Sequence, residues 1–339
     1  METANVQAMV ENENSFQRYL KKFQGYLKKL VGVRELFLIV LIIVMGLILT
    51  NMSPAFLSHA NFRSLSIGMV QNAIIAIGMT ILLAGGNFDL SVGTGMALAG
   101  TVCGMLLVAG TPIWLAVFLT MVMGAGIGLL NGLTITKLGV NPLIATFAMM
   151  SITRSVAQIL TDGYSVVGLP KAFNLMGSKY ILGFPLMVWI MLALVIIGDL
   201  LLRNSRYLRQ VFFIGGNEKA ALLSGIKVDK VKVISYIATG CLVATAGIIL
   251  SSRLMAGTPN AGSGLELNVI AACVIGGASL NGGEGTVIGS FLGVIFLSLI
   301  NNALVLMSIS LFWQGVVSGL ILIIAVTLDM WIKKRKERK

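Results

Sequence analysis

The 339-residue chain has little of the chemistry that most enzymes and metal sites need. It contains one histidine, His59, and no phosphate-binding G-x-x-x-x-G-K-[ST] motif. A single histidine excludes histidine-based triads and histidine metal sites, and the missing motif excludes a phosphate loop for ATP. Cys103, Cys241 and Cys273 lie within apolar runs without paired spacing, which is typical of small packing residues. We therefore predict no catalytic residue, no metal site and no bound cofactor.

Charged residues are scarce as well. They make up 11% of the chain, against 57% hydrophobic residues, and the mean hydropathy is +0.93. This composition excludes an ordinary soluble domain. Apolar blocks of about twenty residues, long enough to cross a bilayer as helix, occur near 35–52, 64–84, 90–110, 113–133, 142–160, 181–202, 233–252, 265–281, 286–307 and 311–332. The predicted fold class is an all-α polytopic membrane protein with about ten transmembrane helices.

The positive charge is distributed unevenly along the chain. A net charge of +12 would suggest nucleic acid as a partner for a soluble protein. Ten spans, however, place both termini on one side, and the segments on that side hold 20 of the 25 lysines and arginines. This is the bias of the positive-inside rule. We therefore predict no nucleic-acid partner, and we predict that both termini and the loop 203–232 are cytoplasmic.

The N-terminal segment, residues 1–34, is predicted to lie on the cytoplasmic membrane surface. Apolar residues recur there at helical spacing: Phe16, Leu20, Phe23, Leu27 and Leu30. Basic residues fill the other face: Arg18, Lys21, Lys22, Lys28 and Lys29. This pattern favours an amphipathic helix, with a disordered basic arm as the alternative. Residues 35–332 form the transmembrane domain, and residues 333–339 a basic cytoplasmic tail.

The polar loop 203–232 contains the signature of a short helix. Gly215-Gly216 breaks the chain, Asn217 is a good N-cap, and Glu218 suits the positive first turn. Gly225 fits the left-handed position that ends a helix. Two turns of helix are unstable alone in water, so this helix is expected to pack against something. A bound soluble partner and the rest of its own chain are the two candidates.

Glycine is abundant and clustered, most clearly in residues 78–93 and 274–285. Both clusters follow an apolar run led by an asparagine, which suggests an internal repeat. Such clusters indicate either close helix packing or broken, re-entrant helices around a substrate path. Asp89 and Glu284 lie in these clusters, and an acid at membrane depth is a candidate functional residue. Asp89 is also placed to act as the N-cap of the next helix.

Four segments carry a recognisable pattern: GMTILLAGGNFDLSVG, LLNGLTITKLGVNPLIAT, GGNEKAALLSGIKVDKVK and GLELNVIAACVIGGASLNGGEGTVIGSFLG. Together they resemble the permease subunit of bacterial monosaccharide ABC importers, the ribose-type permease above all. The resemblance runs in order from about Pro54 to Asp329. Two residues depart from the family pattern: Asn87 stands where isoleucine is more common, and Leu143 where an aromatic residue is common. These departures bear on which sugar is transported and not on membership of the family.

The resemblance implies an ABC importer permease fold in the bacterial inner membrane. Such permeases work as pairs, either a homodimer or two paralogues, docked on two ATPase subunits that bind ATP and Mg. A periplasmic sugar-binding protein delivers the substrate. The longest outer loops, Asp162–Tyr180 and Arg253–Gly262, would receive that protein, or would serve as simple connectors.

The family's coupling helix corresponds to Gly215–Gly225. The residues expected to couple to the ATPase are Gly215, Gly216, Asn217, Glu218, Ala220, Ala221, Ser224 and Gly225. Because Ala220 and Ala221 are small, this helix is expected to enter a groove on the ATPase.

A neutral sugar needs hydrogen-bonding groups along its path. The candidate residues within the spans are Asn72, Thr80, Asp89, Ser91, Thr146, Glu266, Asn301 and Asn302. Arg154 is expected either to reach the outer headgroups or to contact a sugar or a docking carboxylate. Two alternative functions are an importer of a nucleoside or an amino acid, and an ion-coupled secondary transporter. A membrane scaffold is a third, and it would show no solute flux.

Overall fold

The computed structural model describes residues 33–310, together with residues 313, 315–317, 319, 320, 323, 324, 327 and 330. The predicted amphipathic segment 1–34 falls outside the described residues, except for its last two. Most of the predicted span 311–332 and the whole tail 333–339 also fall outside them. The described part is mostly helical, and its strands are the antiparallel pair β1 (Tyr180–Ile181) and β2 (Phe184–Pro185). The predicted all-α class is confirmed.

The helices, in chain order, are α1 (Val33–Met52), α2 (His59–Gly68), α3 (Val70–Ala84), α4 (Val92–Val108), α5 (Ile113–Thr136), α6 (Pro142–Ile159), α7 (Leu175–Ser178), α8 (Leu186–Asn204), α9 (Gln210–Gly216), α10 (Glu218–Leu223), α11 (Val228–Leu254), α12 (Leu265–Ile275) and α13 (Val287–Leu306). A short 3-10 helix, Lys171–Asn174, precedes α7.

Among the described residues, six helical segments are long and apolar enough to cross a membrane. They are α1, α2 with α3, α5, α8, α11 and α13. The predicted ten is not reached. Of the four other predicted spans, α4 and α12 are shorter apolar helices, α6 carries Arg154 and several hydroxyl side chains, and 311–332 lies mostly outside the described residues. In the predicted blocks 90–110 and 265–281 the helices have 17 and 11 residues.

The chain leaves the helical conformation in both glycine clusters. Residues 85–91 separate α3 from α4, and residues 276–286 separate α12 from α13. Several glycines in these two breaks have positive φ, which glycine adopts without strain. The same order of helix, break and helix in both places agrees with the predicted repeat. Of the two alternatives for the clusters, broken helices describe residues 85–91 and 276–286, while close packing describes Gly78 and Gly276, where an added Cβ would lie under 3 Å from a neighbour.

Close helix packing is also found, along the central helix α11, and Gly78 of the first cluster takes part in it, since a Cβ there would lie 2.8 Å from Thr239 Oγ1. This helix packs on α5, α4 and α3. Gly124, Gly128 and Gly132 occupy successive turns of α5 and face it. A Cβ on Gly124 would lie 2.6 Å from the Gly240 carbonyl oxygen, and one on Gly128 would collide with that of Tyr236. The spacing of four residues is the small-residue pattern that lets helix backbones approach in membranes.

We expect Gly128→Ala to destabilise the protein in detergent. The added methyl must push α5 away from α11, and such overpacking costs about 1–3 kcal/mol. Gly126→Ala is the matched control, because nothing lies within 4 Å of the position of its Cβ and alanine favours helix. Thermal unfolding followed by size-exclusion chromatography should show a lower melting temperature for Gly128→Ala alone. Equal melting temperatures would contradict this packing.

Two buried acidic residues from other helices contact the N-terminus of α13, and neither was anticipated from the sequence. The Asp199 carboxylate of α8 lies 2.6 Å from Arg203 Nε and accepts from the Ile288 backbone N–H at 3.2 Å. Glu35 of α1 accepts from Thr286 Oγ1 at 2.8 Å, and Thr286 caps α13. Acidic groups are favourable near a helix N-terminus, so these contacts tie α1 and α8 to α13.

Candidate functional site

The short helix predicted in the polar loop exists, and its ends are those of the prediction. Asn217 Oδ1 accepts from the Ala220 backbone N–H at 3.0 Å, so Asn217 is the N-cap. Gly225 has φ of 82°, and the backbone N–H of Ile226 donates to the Ala221 carbonyl at 3.1 Å. This is the hydrogen bond of a Schellman C-terminus. The chain break was predicted at Gly215-Gly216, but both glycines still belong to α9, and the break between α9 and α10 lies at Asn217.

The side chains of α10 point in two directions. Ala221 is only 4% exposed and packs in a cluster with Ile214 and Val231, so it contacts its own chain. The expectation that Ala221 faces a partner is therefore wrong. Leu222 and Leu223 are 63% and 89% exposed, and Ala220 is exposed beside them. We call Leu222 and Leu223 the α10 leucine face. Sequence reasoning missed it, although two adjacent leucines on so short a helix cannot both share the face of Ala221.

Two ion pairs join this region to the rest of the chain. Glu218, at the start of α10, pairs with Lys232 at 2.8 Å, and Asp229 pairs with Lys137 at 2.8 Å. The first pair links α10 to α11 and the second links α11 to the end of α5. Ser224 Oγ donates to the Ala220 carbonyl at 2.9 Å, within the same turn. Burial of Ala221 and, to a smaller extent, the exposed Glu218–Lys232 pair orient α10 with its leucine face outward.

Asp89 is buried, and its carboxylate is fully engaged. Oδ1 accepts from the Ser91 backbone N–H at 2.8 Å and from Ser91 Oγ at 2.6 Å, while Oδ2 accepts from Asn131 Nδ2 at 3.1 Å. Three donors compensate the cost of burying this polar group. Ser91 directly precedes the first residue of α4, but it has helical dihedral angles and its side chain makes no capping bond. Asp89 Oδ1 accepts from the backbone N–H two residues further on, which is the bond of an N-cap side chain, so the predicted N-cap role agrees with these contacts. Asn131, a polar residue within an apolar block, was missed.

Within the part of the chain that the structure describes, the other polar residues predicted for a path make no hydrogen bond to Asp89 or Ser91, and the hydrogen bonds that they do make lie at separate places. Thr80 Oγ1 lies 2.7 Å from Ser290 Oγ, between α3 and α13. Asn302 exchanges two amide hydrogen bonds with Asn61, at 2.7 and 3.0 Å. Thr146 Oγ1 donates to the Pro142 carbonyl at 2.8 Å, within α6. Asn72 on α3 and Asn301 on α13 are half-buried.

Of the eight predicted path residues, only two meet in one cluster. Asp89 and Ser91 do so, together with Asn131. A small cleft beside them is lined by glycines of α4, α5 and α11: Gly95, Gly124, Gly128 and Gly240. The prediction of a path along all eight residues is not tested by these contacts.

Arg154 anchors a loop. Its Nη1 donates to the carbonyl oxygens of Pro259 and Ala261, at 2.5 and 2.9 Å. On the next turn of α6, Gln158 Nε2 donates to Asn260 Oδ1 at 2.9 Å. The guanidinium is thus held by backbone carbonyls of its own chain, a role that neither expectation for Arg154 included.

Glu266 lies close to the same loop, in the first turn of α12. A Cβ on Gly93 would lie 2.7 Å from Glu266 Oε2, so the carboxylate packs on the first turn of α4. Glu266 therefore connects the outer loop to the helix that follows the Asp89 break.

The two loops predicted to receive a binding protein are joined to each other. Val166 and Gly257 exchange backbone hydrogen bonds of 2.8 and 2.9 Å. Ser252 Oγ donates to the Phe173 carbonyl at 2.5 Å. Residues 162–180 and 253–263 therefore form one continuous surface, which we call the outer loop surface.

Comparison with known proteins gives consistent matches over most of the chain. Residues 63–326 match the family described as branched-chain amino acid transport system / permease component. A ribose import permease protein of Bacillus subtilis is 41% identical over 288 residues, which cover 84% of this chain and 89% of that protein. An L-arabinose transport system permease protein of Escherichia coli is 38% identical over 84% of this chain and 86% of that protein. The ribose import permease protein of Escherichia coli is 36% identical over 86% and 92%. No solved structure was found to match the chain.

Proposed function

Because this chain belongs to the branched-chain amino acid transport system / permease component family, we propose that it is the transmembrane permease subunit of an ATP-driven ABC importer for a monosaccharide. The observation that carries the proposal is the 41% identity, over 84% of the chain, with a ribose import permease. The resemblance predicted from the four sequence segments is confirmed. The proposed substrate is a ribose-like pentose or a hexose, translocated by alternating access.

Hydrolysis of ATP is assigned to a separate subunit, which binds ATP and Mg. The chain has no phosphate loop, and α10 offers a way to receive such a subunit. Its leucine face is exposed on a polar loop, whereas Ala221 and the Glu218–Lys232 pair fix the helix to the permease. Adjacent exposed apolar side chains surrounded by polar residues are typical of interaction sites. We propose that the α10 leucine face docks the ATPase.

The proposal includes an orientation in the bacterial inner membrane, with both termini cytoplasmic. In this proposal α4, α6 and α12 also cross the membrane, together with the six longer helical segments. The tenth span would be 311–332, most of which lies outside the described residues. The outer loop surface would then face the periplasm and receive the sugar-binding protein. This side is supported by the distribution of charge, since only five of the 25 lysines and arginines lie outside the predicted cytoplasmic segments. A second permease copy, identical or paralogous, completes the membrane part.

The energy source of uptake tests this function. Cells that express the chain with its ATPase and a sugar-binding protein should take up labelled ribose. Arsenate, which depletes ATP, should stop uptake, whereas a protonophore at constant ATP should not. Uptake that survives ATP depletion and fails with the protonophore would establish an ion-coupled transporter instead. Uptake of nucleosides or amino acids, with none of any sugar, would move the chain to another branch of the family.

A further inference from the structure

Three backbone segments meet at one point beside α10. They are the last turn of α9 at Gly215, the end of α3 at Ala84, and the α12–α13 break at Gly282 and Gly283. The Gly283 backbone N–H donates to the Ala84 carbonyl at 2.9 Å. A Cβ on Gly215 would lie 2.6 Å from Gly283 N and 2.9 Å from Gly282 Cα, and would collide with the Ala84 carbonyl oxygen. We call these four residues the glycine junction.

The junction connects features that are far apart in sequence. Ala84 is the last residue of α3, directly before the break that contains Asp89, and Gly282 and Gly283 lie in the second break. The two glycine clusters of the predicted repeat therefore bond to each other, and α9 rests on the place where they do. Because α9 ends at Gly216 and Asn217 is the N-cap of α10, only two residues separate Gly215 from the helix proposed to dock the ATPase.

Contact at the junction is between backbones, with no side chain between them. Rotation of a side chain can absorb a small displacement, whereas backbones in van der Waals contact move together or separate. Val211 and Ile214 are 2% and 3% exposed, and they belong to an apolar cluster that includes residues of α3 and α13. This packing prevents α9 from tilting freely away from the other helices. A displacement of α10 therefore reaches both breaks at Gly215.

We propose that Gly215 is a positioning residue that couples α10 to both helix breaks, so that the state of the ATPase sets the backbone position of the Asp89 break and of the 276–286 break together. This inference rests on the proposed docking of the ATPase on α10. It assigns Gly215 a role inside the permease, although the sequence had placed this residue among those that contact the ATPase.

Gly215→Ala tests the proposal in the purified complex of permease, ATPase and binding protein. The added methyl cannot fit without separating α9 from Ala84 and Gly283. We expect the ATPase to co-purify in normal amount and to keep its basal turnover. Turnover stimulated by sugar-loaded binding protein, and sugar uptake, should fall about tenfold, within the range of coupling between sites. Gly126→Ala, in an open position on α5, should retain normal stimulation.

The outcomes separate this inference from the proposed function. Normal stimulated turnover in Gly215→Ala would overturn the inference and leave the docking of the ATPase untouched. Loss of the ATPase from Gly215→Ala would also overturn it, because Gly215 would then act in docking. A wild-type permease that binds no ATPase would instead refute the proposed function.

A measurement on the unmodified complex covers the case in which Gly215→Ala does not fold. Hydrogen exchange can be compared between the nucleotide-free complex and the complex trapped with ATP and vanadate. The proposal predicts that the rate of amide hydrogen exchange changes in both peptides of the junction, 84–91 and 279–286. The two are expected to change together because the Gly283 N–H donates to the Ala84 carbonyl and so joins them. A change in neither segment, or in one alone, would contradict joint movement of the two breaks.

Discussion

Replacing Leu223 with aspartate is expected to release the ATPase from the permease while the permease stays folded in the membrane. Leu223 is 89% exposed in the isolated chain, so a polar side chain there costs the permease itself little. At a docked interface the carboxylate would be buried against an apolar surface without a partner. Burying a carboxylate without a partner costs about 2 kcal/mol or more, which corresponds to roughly 30-fold in affinity.

Co-purification of the ATPase with tagged permease measures this effect. Leu138→Asp is the matched control, because Leu138 is also a highly exposed leucine, 74% exposed, on another loop that is predicted to be cytoplasmic. Leu223→Asp should bring down little ATPase, and Leu138→Asp the normal amount. Normal ATPase recovery with Leu223→Asp would show that the leucine face is not the docking surface.

Asp89→Asn is expected to reduce both the yield of folded permease and the uptake per molecule. Asparagine keeps one acceptor oxygen but turns an N–H₂ group toward Ser91 or Asn131, which are themselves donors. Loss of a buried hydrogen bond to a charged group costs about 1.5–3 kcal/mol. The cost falls on the break between α3 and α4, and therefore on the position of Ser91 and the start of α4.

The double variant Asp89→Asn with Asn131→Asp tests this explanation. It exchanges donor and acceptor, so that the amide at position 89 donates to the carboxylate at position 131. Yield, measured by size-exclusion chromatography, and uptake per molecule should both recover in part. Recovery of yield without any recovery of uptake would mean that the negative charge must lie at position 89 itself, in contact with the transported solute.

The helix that carries the docking surface could be predicted because its signals are local. Asn217 and Gly225 act on backbone groups three or four residues away, so a short stretch of sequence is sufficient. The direction in which α10 presents its side chains was not predictable from the same stretch. It depends on the cluster with Ile214 and Val231 and on the pair with Lys232, all of which lie outside the helix.

The contacts between polar residues of the apolar blocks were harder to predict from the sequence. Asp89 and Asn131 are 42 residues apart, and Arg154 bonds to carbonyls more than 100 residues away. In both cases the sequence identified an unusual polar residue in an apolar block but not its partner. The glycines of α5 at 124, 128 and 132 did carry a recognisable signal, the spacing of four. The more conspicuous clusters at 78–93 and 274–285 contain both helix breaks and closely packed glycines.

Uptake of labelled ribose into proteoliposomes is the most direct test of an ATP-driven sugar permease. The vesicles would contain purified permease with its ATPase, with the sugar-binding protein outside and ATP inside for the inward-facing ATPases. We predict uptake that requires both ATP and the binding protein and that persists when ionophores collapse every ion gradient. Uptake driven by an imposed ion gradient in the absence of ATP would contradict this function.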